Sequence, residues 1–348
     1  MKFRTLPETE IRVSEIGFGL WTISTGWWGT FTEGEAITLM HKALDLGITL
    51  FDAADTYGNG YSEELIAKAF PKQRDQIVIA TKVGYNFYDH GNERKGQREI
   101  PQDFSVPFIH EAVDKALKRL GTDHIDILQL HNIRMPQVED DALWELMEKL
   151  KQEGKIRSYG AALGPAIGWL YEGVDCVQRR RPHVLQHIYN ALEPHPGRQI
   201  MDEGEALADA SKPARTRYLI RVTHSSGMLE GKYTKDTVFP PTDHRSHRPK
   251  SWLITGLKKI ETLQFLVGPG RTLGQAALQW LLADERVACC LPNIYEEAQL
   301  REFAAASESP TLTKDELARV AELAANNFGI SDETPNSKGT MKRETAEV

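Results

Sequence analysis

The sequence predicts an α/β protein that folds as a (β/α)8 barrel, with a β-hairpin cap before the barrel and an extra helix after it. Two observations lead to this prediction. Eight short apolar runs of strand length alternate with segments whose apolar residues recur at helical spacing. Several of these runs end in a polar, titratable residue, which is typical of barrel strands whose C-terminal ends form an active site.

The predicted strands are short apolar runs bounded by turn residues. The cap hairpin is expected within residues 2–13, around a turn at 6–9. The eight barrel strands are predicted at 14–21, 48–53, 77–83, 125–130, 156–162, 183–189, 217–223 and 287–291. The run at 77–83 is mainly β-branched, which favours a strand over a helix.

The predicted helices have clear start and stop signals. Ser62 opens one of them, and Gly47, Gly121 and Gly154 follow three others. Helices are predicted at 33–46, 62–70, 107–120, 139–152, 253–266, 273–283, 296–306 and 313–326. The polar segments 84–106 and 225–249 carry glycines or prolines and are predicted to be loops.

The chain is expected to form one domain. Its 348 residues are enough for two, but α/β barrels routinely run above about 200 residues as one unit. Residues 1–326 are therefore predicted to be the barrel domain. Residues 327–348 are polar and have little apolar surface to bury, so they are predicted to be a flexible tail.

The composition narrows the function classes. With 41% hydrophobic and 26% charged residues the protein is ordinary for a globular chain, and its net charge of −7 argues against nucleic-acid binding. No apolar stretch of about 18 residues is present, so no membrane span is predicted. The N-terminus lacks the apolar core of a signal peptide. Cys176, Cys289 and Cys290 are expected to be reduced thiols in a cytoplasmic protein, with the adjacent pair facing opposite sides of a strand.

Four residues near strand ends predict a proton-transfer site. Asp52 and Tyr57 lie in the run F-D-A-A-D-T-Y-G, Lys82 ends I-V-I-A-T-K, and His131 ends I-D-I-L-Q-L-H. A tyrosine has a reference pKa of about 10, and a nearby ammonium favours its phenolate. Lys82, held by Asp52, is predicted to supply that ammonium. Tyr57 then protonates an oxygen that gains charge during hydride uptake, and His131 orients the same oxygen.

Each of the four also has an ordinary structural explanation. Asp52 would cap a turn, Tyr57 would be a packed loop aromatic, Lys82 an exposed strand end and His131 a core histidine. Their occurrence at successive strand ends favours a shared chemical site over four unrelated roles. Asp55, in the same loop as Tyr57, is interpreted as a loop hydrogen-bonder.

With these motifs the chain resembles the aldo-keto reductases, in particular bacterial members and potassium-channel β-subunit-like members. The family signature has an Asp and a Tyr five residues apart, as in Asp52 and Tyr57, followed here by G-N-G-Y-S-E-E. Lys82 and His131 match the family residues that end the third and fourth strands. R-T-L at 4–6, V-S-E-I-G-F-G at 13–19 and S-G-M-L-E-G-K-Y at 226–233 also match. The resemblance covers residues 2 to 325 and implies a nicotinamide cofactor, a small-molecule carbonyl or alcohol substrate, and no metal.

The resemblance also implies a set of cofactor-binding positions. They are Gly19, Trp21, Gln186, Arg221, Gly227, Leu229, Gly231, Lys232, Asn293, Tyr295, Glu296, Gln299 and Glu302.

Some of these positions depart from the family pattern. The usual G-V-S-N after the fifth strand, which holds the nicotinamide carboxamide, is replaced by G-A-A-L, so that Ala162 and Leu163 cannot do that work. Arg221 stands where relatives stack a Tyr on the nicotinamide, and a guanidinium plane can also stack on a ring. Tyr295 and Glu296 stand where relatives bind the adenosine 2′-phosphate. NADP(H) is the family default, and NAD(H) is a plausible cofactor here unless Arg301 turns back to the phosphate.

Three alternatives remain open from the sequence. A Schiff-base aldolase would use Lys82 as nucleophile. A non-catalytic nicotinamide-nucleotide sensor would keep the same four residues. A metal-dependent hydrolase is disfavoured because no H-x-H follows the first strand, although His244 and His247 lie in one loop. The substrate walls are expected from the aromatic residues Trp21, Trp27, Trp28, Tyr85 and Phe87 and from the loop after Lys232. Substrate identity and oligomeric state are not predicted.

Overall fold

The structure is a computed structural model that describes residues 1–90, 99–164, 169–206 and 214–330. The cap hairpin pairs β1 (Phe3–Thr5) with β2 (Arg12–Ser14). The barrel strands are β3 (Phe18–Gly19), β4 (Leu50–Asp52), β5 (Val78–Val83), β6 (Ile125–His131), β7 (Ile156–Ala162), β8 (Val184–Ile188), β9 (Arg217–Arg221) and β10 (Val287–Leu291). These eight strands are parallel to their neighbours and follow chain order in the sheet, and a parallel bridge between Ile16 and Cys290 closes the barrel. The predicted (β/α)8 barrel is confirmed.

Helices cover the outside of the sheet. They are α1 (Trp21–Ser24), α2 (Glu33–Asp45), α3 (Tyr61–Ala69), α4 (Phe87–His90), α5 (Val106–Leu120), α6 (Met135–Glu139), α7 (Asp141–Gln152), α8 (Leu170–Asp175), α9 (Gly197–Ala206), α10 (Lys250–Thr262), α11 (Leu273–Leu282), α12 (Glu297–Ala306) and α13 (Lys314–Ala325). Local chemistry fixes several ends. In α2 the Thr32 side chain accepts from the Glu35 backbone while Glu35 accepts from the Thr32 backbone, and α5 ends at left-handed Gly121.

The core has two layers, because successive strand residues face opposite sides of the sheet. Leu50 and Cys289 lie in the inner layer, and Phe51 and Cys290 lie in the outer layer between strands and helices. The cysteines therefore face opposite sides, as predicted, and all three are free thiols. The inner layer also contains apolar residues of the cap, so the hairpin closes the N-terminal end of the barrel. Asp52 is two residues after Leu50, so its side chain faces the interior of the barrel, near the C-terminal ends of the strands.

Several predicted boundaries of strands and loops are wrong, and one helix was not predicted. The strand predicted at 14–21 is reduced to Phe18–Gly19, because the chain already turns into α1 at Trp21. The loop predicted at 84–106 contains the short helix α4, and the loop predicted at 225–249 contains two short 3-10 turns. Helix α9 was missed because glycines and charged residues dominate its sequence, although it buries Ile200 and Met201.

The C-terminal part contains the predicted extra helix, α13. Beyond it, residues 327–330 form a turn in which Phe328 is buried, with Lys259 Nζ 5.2 Å from the centre of its ring. The rest of the predicted tail, 331–348, lies outside the described residues.

Candidate active site

The strand ends bring the predicted catalytic residues into one cavity of about 260 Å³. Asp52 ends β4, His131 ends β6, and Tyr57 lies in the loop after β4. Lys82, near the end of β5, reaches the site from below and contacts Asp52. Predicted cofactor residues that also line the cavity are Gly19, Trp21, Gln186, Arg221 and Asn293. The cavity therefore unites the predicted proton-transfer group with part of the predicted cofactor site.

Asp52 and Lys82 form a buried ion pair. Lys82 Nζ donates to Asp52 Oδ2 at 2.7 Å and to the Ala53 carbonyl at 2.8 Å. The second Asp52 oxygen accepts from Gln186 Nε2 at 3.0 Å and from Gln129 Nε2 at 3.3 Å. Burying two charges is costly unless further hydrogen bonds satisfy them, and here each partner makes at least one hydrogen bond in addition to the ion pair.

Tyr57 and His131 meet beside this pair. The Lys82 ammonium lies 5.0 Å from the centre of the Tyr57 ring, and the Tyr57 and His131 rings are edge to face at 5.8 Å. Among the described residues, Lys82 Nζ makes its hydrogen bonds to Asp52 and Ala53, so it approaches Tyr57 through the ring. Tyr85 also packs edge to face with His131, with ring centres 4.9 Å apart. The histidine therefore contacts two aromatic rings.

The Tyr57 loop is fixed by short-range hydrogen bonds. Tyr57 N donates to the Ala54 carbonyl at 3.0 Å, and Ser62 Oγ donates to the same carbonyl at 2.9 Å. Gly58 has a φ of 62°, and a Cβ there would lie 2.8 Å from the Ser24 carbonyl oxygen. This close approach requires glycine directly after the tyrosine.

Asp55 differs from its prediction as a loop hydrogen-bonder. Its backbone N–H donates to the Lys82 carbonyl at 3.1 Å, but both carboxyl oxygens are buried without a partner among the described residues. Burial raises the pKa of Asp55 well above its ordinary value, and the negative charge of Glu63 adds to this effect. Glu63 itself pairs with Arg119 at 2.6 Å. Both effects favour the neutral form of the Asp55 carboxyl over its charged form.

The positions expected to hold the nicotinamide carboxamide are arranged differently from the family pattern. Ala162 and Leu163 offer no polar side chain, and Arg221 reaches across to this strand end. Arg221 Nη2 donates to the carbonyls of Leu163 and Gly164, each at 2.5 Å. Burial lowers the pKa of Arg221. Gln186, Ser226 and Asn293 are further polar residues that line the cavity.

Four other predicted cofactor residues lie together with Glu230, which was not predicted, in a second group. We call this group the acidic cluster: Glu230, Lys232, Glu296, Gln299 and Glu302. Lys232 Nζ lies 4.0 Å from Glu230, 3.5 Å from Glu296 and 4.0 Å from Glu302. Gln299 Nε2 donates to Glu230 at 2.8 Å. Burial raises the pKa of Glu230 to about 7. One lysine is thus shared by three carboxyl groups.

The turn that carries Glu230 contains the predicted residues Gly227, Leu229 and Gly231. Leu229 is buried, and its N–H donates to the His224 carbonyl at 3.0 Å. Gly227 has a φ of 91°, and a Cβ there would lie 2.2 Å from the Tyr233 hydroxyl. Glycine at this position lets the turn pack against Tyr233.

At the predicted phosphate position the side chain of Tyr295 is engaged in aromatic stacking. Tyr295 stacks on Trp28 with ring centres 5.9 Å apart, and its N–H donates to Gln299 Oε1 at 3.2 Å. Arg301 does not turn back to the site, because its guanidinium pairs with Glu297 on its own helix at 2.6 Å.

The cavity walls are aromatic. Trp21, Trp27 and Trp28 surround His244, with ring centres between 5.3 and 6.3 Å from it. Arg245 lies 4.2 Å from the centre of the Trp28 ring. His244 is therefore part of this wall; among the described residues no group of three or more side chains is arranged as a metal site. Phe87 was predicted as a wall but packs with Tyr85 and Ile100 instead.

Among the residues at the site that sequence reasoning missed are four polar or charged ones: Glu99, Asn132, Glu230 and Arg245. Asn132 Nδ2 donates to the Tyr85 hydroxyl at 2.7 Å, and Tyr85 donates to Glu99 at 2.6 Å. Two of them were detectable, since Asn132 directly follows His131 and Glu230 lies inside the S-G-M-L-E-G-K-Y motif. The other two depend on loop packing.

No helix within the described residues is both long and apolar enough to cross a bilayer.

Comparisons with known proteins agree with the geometry. The sequence model described as "Aldo/keto reductase family" matches residues 15–325. Aldo-keto reductase YhdN of Bacillus subtilis is 33% identical over 294 residues, covering 81% of each chain. The NADH-specific methylglyoxal reductase of Escherichia coli is 28% identical and covers 100% of this chain and 99% of its own.

Solved structures give the same result. The holo form of an aldo-keto reductase from Bacillus halodurans superposes with a TM-score of 0.72 and 28% identity, covering 93% of this chain and 96% of that one. A glycerol dehydrogenase from Gluconobacter oxydans superposes with a TM-score of 0.78 and 25% identity, covering 95% and 98%. The chain therefore belongs to the aldo/keto reductase family, and it is an NAD(P)-dependent oxidoreductase that acts on carbonyl and alcohol groups.

Proposed function

We propose that this protein reduces a small aldehyde or ketone, or oxidises the corresponding alcohol, with Tyr57 as the proton donor or acceptor. The observation that carries the proposal is the contact of Tyr57 with both Lys82 and His131 at the floor of one cavity. A carbonyl oxygen placed between the Tyr57 hydroxyl and the His131 ring meets a proton donor and an orienting group together. When bound, the nicotinamide nucleotide supplies or accepts the hydride.

The buried Lys82–Asp52 pair fits the role of a fixed positive charge. Lys82 Nζ is held by two oxygens, and Asp52 is held by two glutamine amides as well. A charge fixed in this way does not reorganise when the reacting oxygen becomes negative, which is the basis of electrostatic catalysis. Lys82 is therefore assigned to stabilise the Tyr57 phenolate rather than to act as a Schiff-base nucleophile.

The cavity supports a small substrate. Its volume of about 260 Å³ is slightly below the roughly 300–1,000 Å³ that is typical of small-molecule sites, and the nicotinamide ring is assigned to the same cavity. The aromatic residues Trp21, Trp27, Trp28 and Tyr85 line the cavity, and they are assigned to exclude water from the reacting carbonyl. Asn132 and Glu99 supply polar contacts at the edge.

For the cofactor, the proposed binding residues fall into two groups. Gln186, Arg221 and Asn293 lie in the cavity and are assigned to the nicotinamide end. The acidic cluster is assigned to the adenosine end, where carboxylates suit ribose hydroxyls better than a 2′-phosphate. The relative named as an NADH-specific reductase supports NADH as a usable cofactor.

The test is the variant Tyr57→Phe, which keeps the ring and removes the hydroxyl. We expect turnover of short-chain aldehydes to fall by roughly 10²–10⁴-fold while the dissociation constant of NADH or NADPH changes little. Tyr85→Phe is the matched control, because Tyr85 lies in the same cavity but its hydroxyl is engaged by Glu99 and Asn132. Wild-type levels of turnover in Tyr57→Phe would refute the assignment. A wild-type protein that binds the nucleotide but reduces no carbonyl compound would favour the sensor alternative.

A further inference from the structure

Arg221 places a positive charge inside the candidate cavity without a carboxylate to neutralise it. It is the last residue of β9, and it lines the cavity together with Tyr57 and Gln186. Its Nη2 donates to the carbonyls of Leu163 and Gly164, which are neutral acceptors. Among the described residues, no carboxylate oxygen lies within 4.0 Å of the guanidinium.

The carboxylate that shares this cavity floor is already engaged. Asp52 binds Lys82 through one oxygen and the amides of Gln186 and Gln129 through the other. Arg221 Nε is buried and has no partner among the described residues. A buried guanidinium with unused donors is unfavourable in the empty protein, so its charge is expected to act on the molecule that fills the cavity.

The layout of the site indicates that this molecule is the nicotinamide end of the cofactor. Tyr57 and His131 belong to the β4 and β6 side, where the reacting carbonyl is placed. The acidic cluster lies after β9 and at α12, outside the cavity. A dinucleotide that joins the two regions passes the end of β9, where Arg221 stands. This step rests on the proposed function, because it uses the proposed positions of the carbonyl and of the adenosine.

We propose that Arg221 makes the protein bind the reduced cofactor more tightly than the oxidised one. The oxidised nicotinamide ring carries a positive charge and the reduced ring is neutral, so only the oxidised ring is repelled by the guanidinium. Two unit charges about 4 Å apart change an affinity by between about fivefold and about a thousandfold, depending on how well water screens them. A buried guanidinium is screened less than a surface charge, so we expect a preference of at least about tenfold.

The preference for the reduced cofactor also changes the equilibrium of the reaction on the protein. By linkage, the factor that separates the two affinities shifts the equilibrium between bound reactants and products towards reduced cofactor and carbonyl compound. Arg221 therefore favours alcohol oxidation on the protein relative to a family member with a neutral residue at this position.

The experiment measures dissociation constants of the oxidised and reduced cofactor by titration calorimetry, at one pH and one ionic strength. The variants are Arg221→Gln, which removes the charge, Arg221→Tyr, which fills the space with a neutral ring, and Arg221→Lys, which keeps the charge. Arg217→Gln is the matched control. Arg217 begins the same strand and also donates to two backbone carbonyls, those of Ala214 and Thr216, but at the opposite end of the barrel.

We expect Arg221→Gln and Arg221→Tyr to reduce the ratio of the two constants by at least about fivefold, mainly through tighter binding of the oxidised form. Arg221→Lys and Arg217→Gln are expected to keep the wild-type ratio. The inference is overturned if both neutral variants stay within about twofold of wild type, or if the wild-type protein binds both forms equally. If the wild-type protein binds neither form, the proposed function itself has failed.

Discussion

The Lys82 ammonium lies 2.7 Å from the Asp52 carboxylate, and the two side chains are only 1% and 7% exposed. The pair connects the ends of two neighbouring barrel strands, β4 and β5, directly beneath Tyr57. We therefore expect the pair to have a structural role in addition to its proposed chemical role, and mutation can separate the two.

Single substitutions of this pair should destabilise the protein strongly. Asp52→Asn leaves a buried ammonium without its counter-ion, and Lys82→Met leaves a buried carboxylate, so each should lower the free energy of unfolding by about 3–5 kcal/mol. The double variant removes both charges and should lose less than the sum of the two, by at least about 1 kcal/mol. Turnover should be lost in all three proteins. Denaturant unfolding and steady-state assays of the wild-type protein and the three variants complete the double-mutant cycle. Strictly additive changes in the free energy of unfolding would contradict the proposed pairing.

The protein should discriminate only weakly between NADH and NADPH. Lys232 is shared by three carboxyl groups and Arg301 is paired with Glu297, so neither cation is available to a 2′-phosphate without breaking an ion pair. We expect NADH and NADPH to bind within about tenfold of each other. Glu296→Gln should improve NADPH binding by about fivefold, since one charge at a partly exposed site contributes about 1 kcal/mol.

The matched control for this prediction is Glu285→Gln, which removes an exposed carboxylate that lies just before β10, at the opposite end of the barrel. It should leave the ratio of the two dissociation constants unchanged. Binding of NADPH a hundredfold more tightly than NADH by the wild-type protein would show that this interpretation of Glu296 is wrong.

Glu230 should make stability depend on pH. Burial raises its pKa from 4.5 to about 7 in the folded protein. As pH rises through this interval, the unfolded chain releases the proton first, so the free energy of unfolding falls by roughly 3 kcal/mol in total. Glu230→Gln removes the effect: its stability relative to wild type should increase between pH 4.5 and 8, as measured by urea unfolding. A pH-independent difference for Glu230→Gln would disprove the assignment.

Gly160 should tolerate no side chain. A Cβ at this position of β7 would lie 2.0 Å from the Val184 carbonyl oxygen on β8. Gly160→Ala must push these strands apart, and we expect a loss of about 2–4 kcal/mol in the free energy of unfolding. Gly34→Ala is the control, because a Cβ at that exposed helix position meets no atom within 4 Å. It should leave stability unchanged or raise it slightly. Equal effects of the two substitutions on the unfolding midpoint would contradict this packing argument.

The sequence by itself determined the barrel and the residues that stand at its strand ends. Alternating apolar runs fix which segments are strands, and the order of the runs fixes which ends are neighbours, so Asp52, Lys82 and His131 were predictable as a group. The spacing from Asp52 to Tyr57 is local and needed no tertiary information.

Only the tertiary structure decided the partners of long side chains. Arg221 reaching Leu163 and Lys232 lying among three carboxyl groups each depend on rotamers and on loops that pack from distant parts of the chain. The pairing of Arg301 with Glu297 follows the i,i+4 spacing of one helix, but only the structure showed that Arg301 adopts this rotamer. The same holds for Phe87, which packs beside Tyr85 instead of facing the cavity, and for helix α9, whose sequence has weak helical signals. Sequence spacing sets the position of a backbone atom along a strand or helix, whereas the contacts of a flexible side chain are chosen by packing among groups that are remote in sequence.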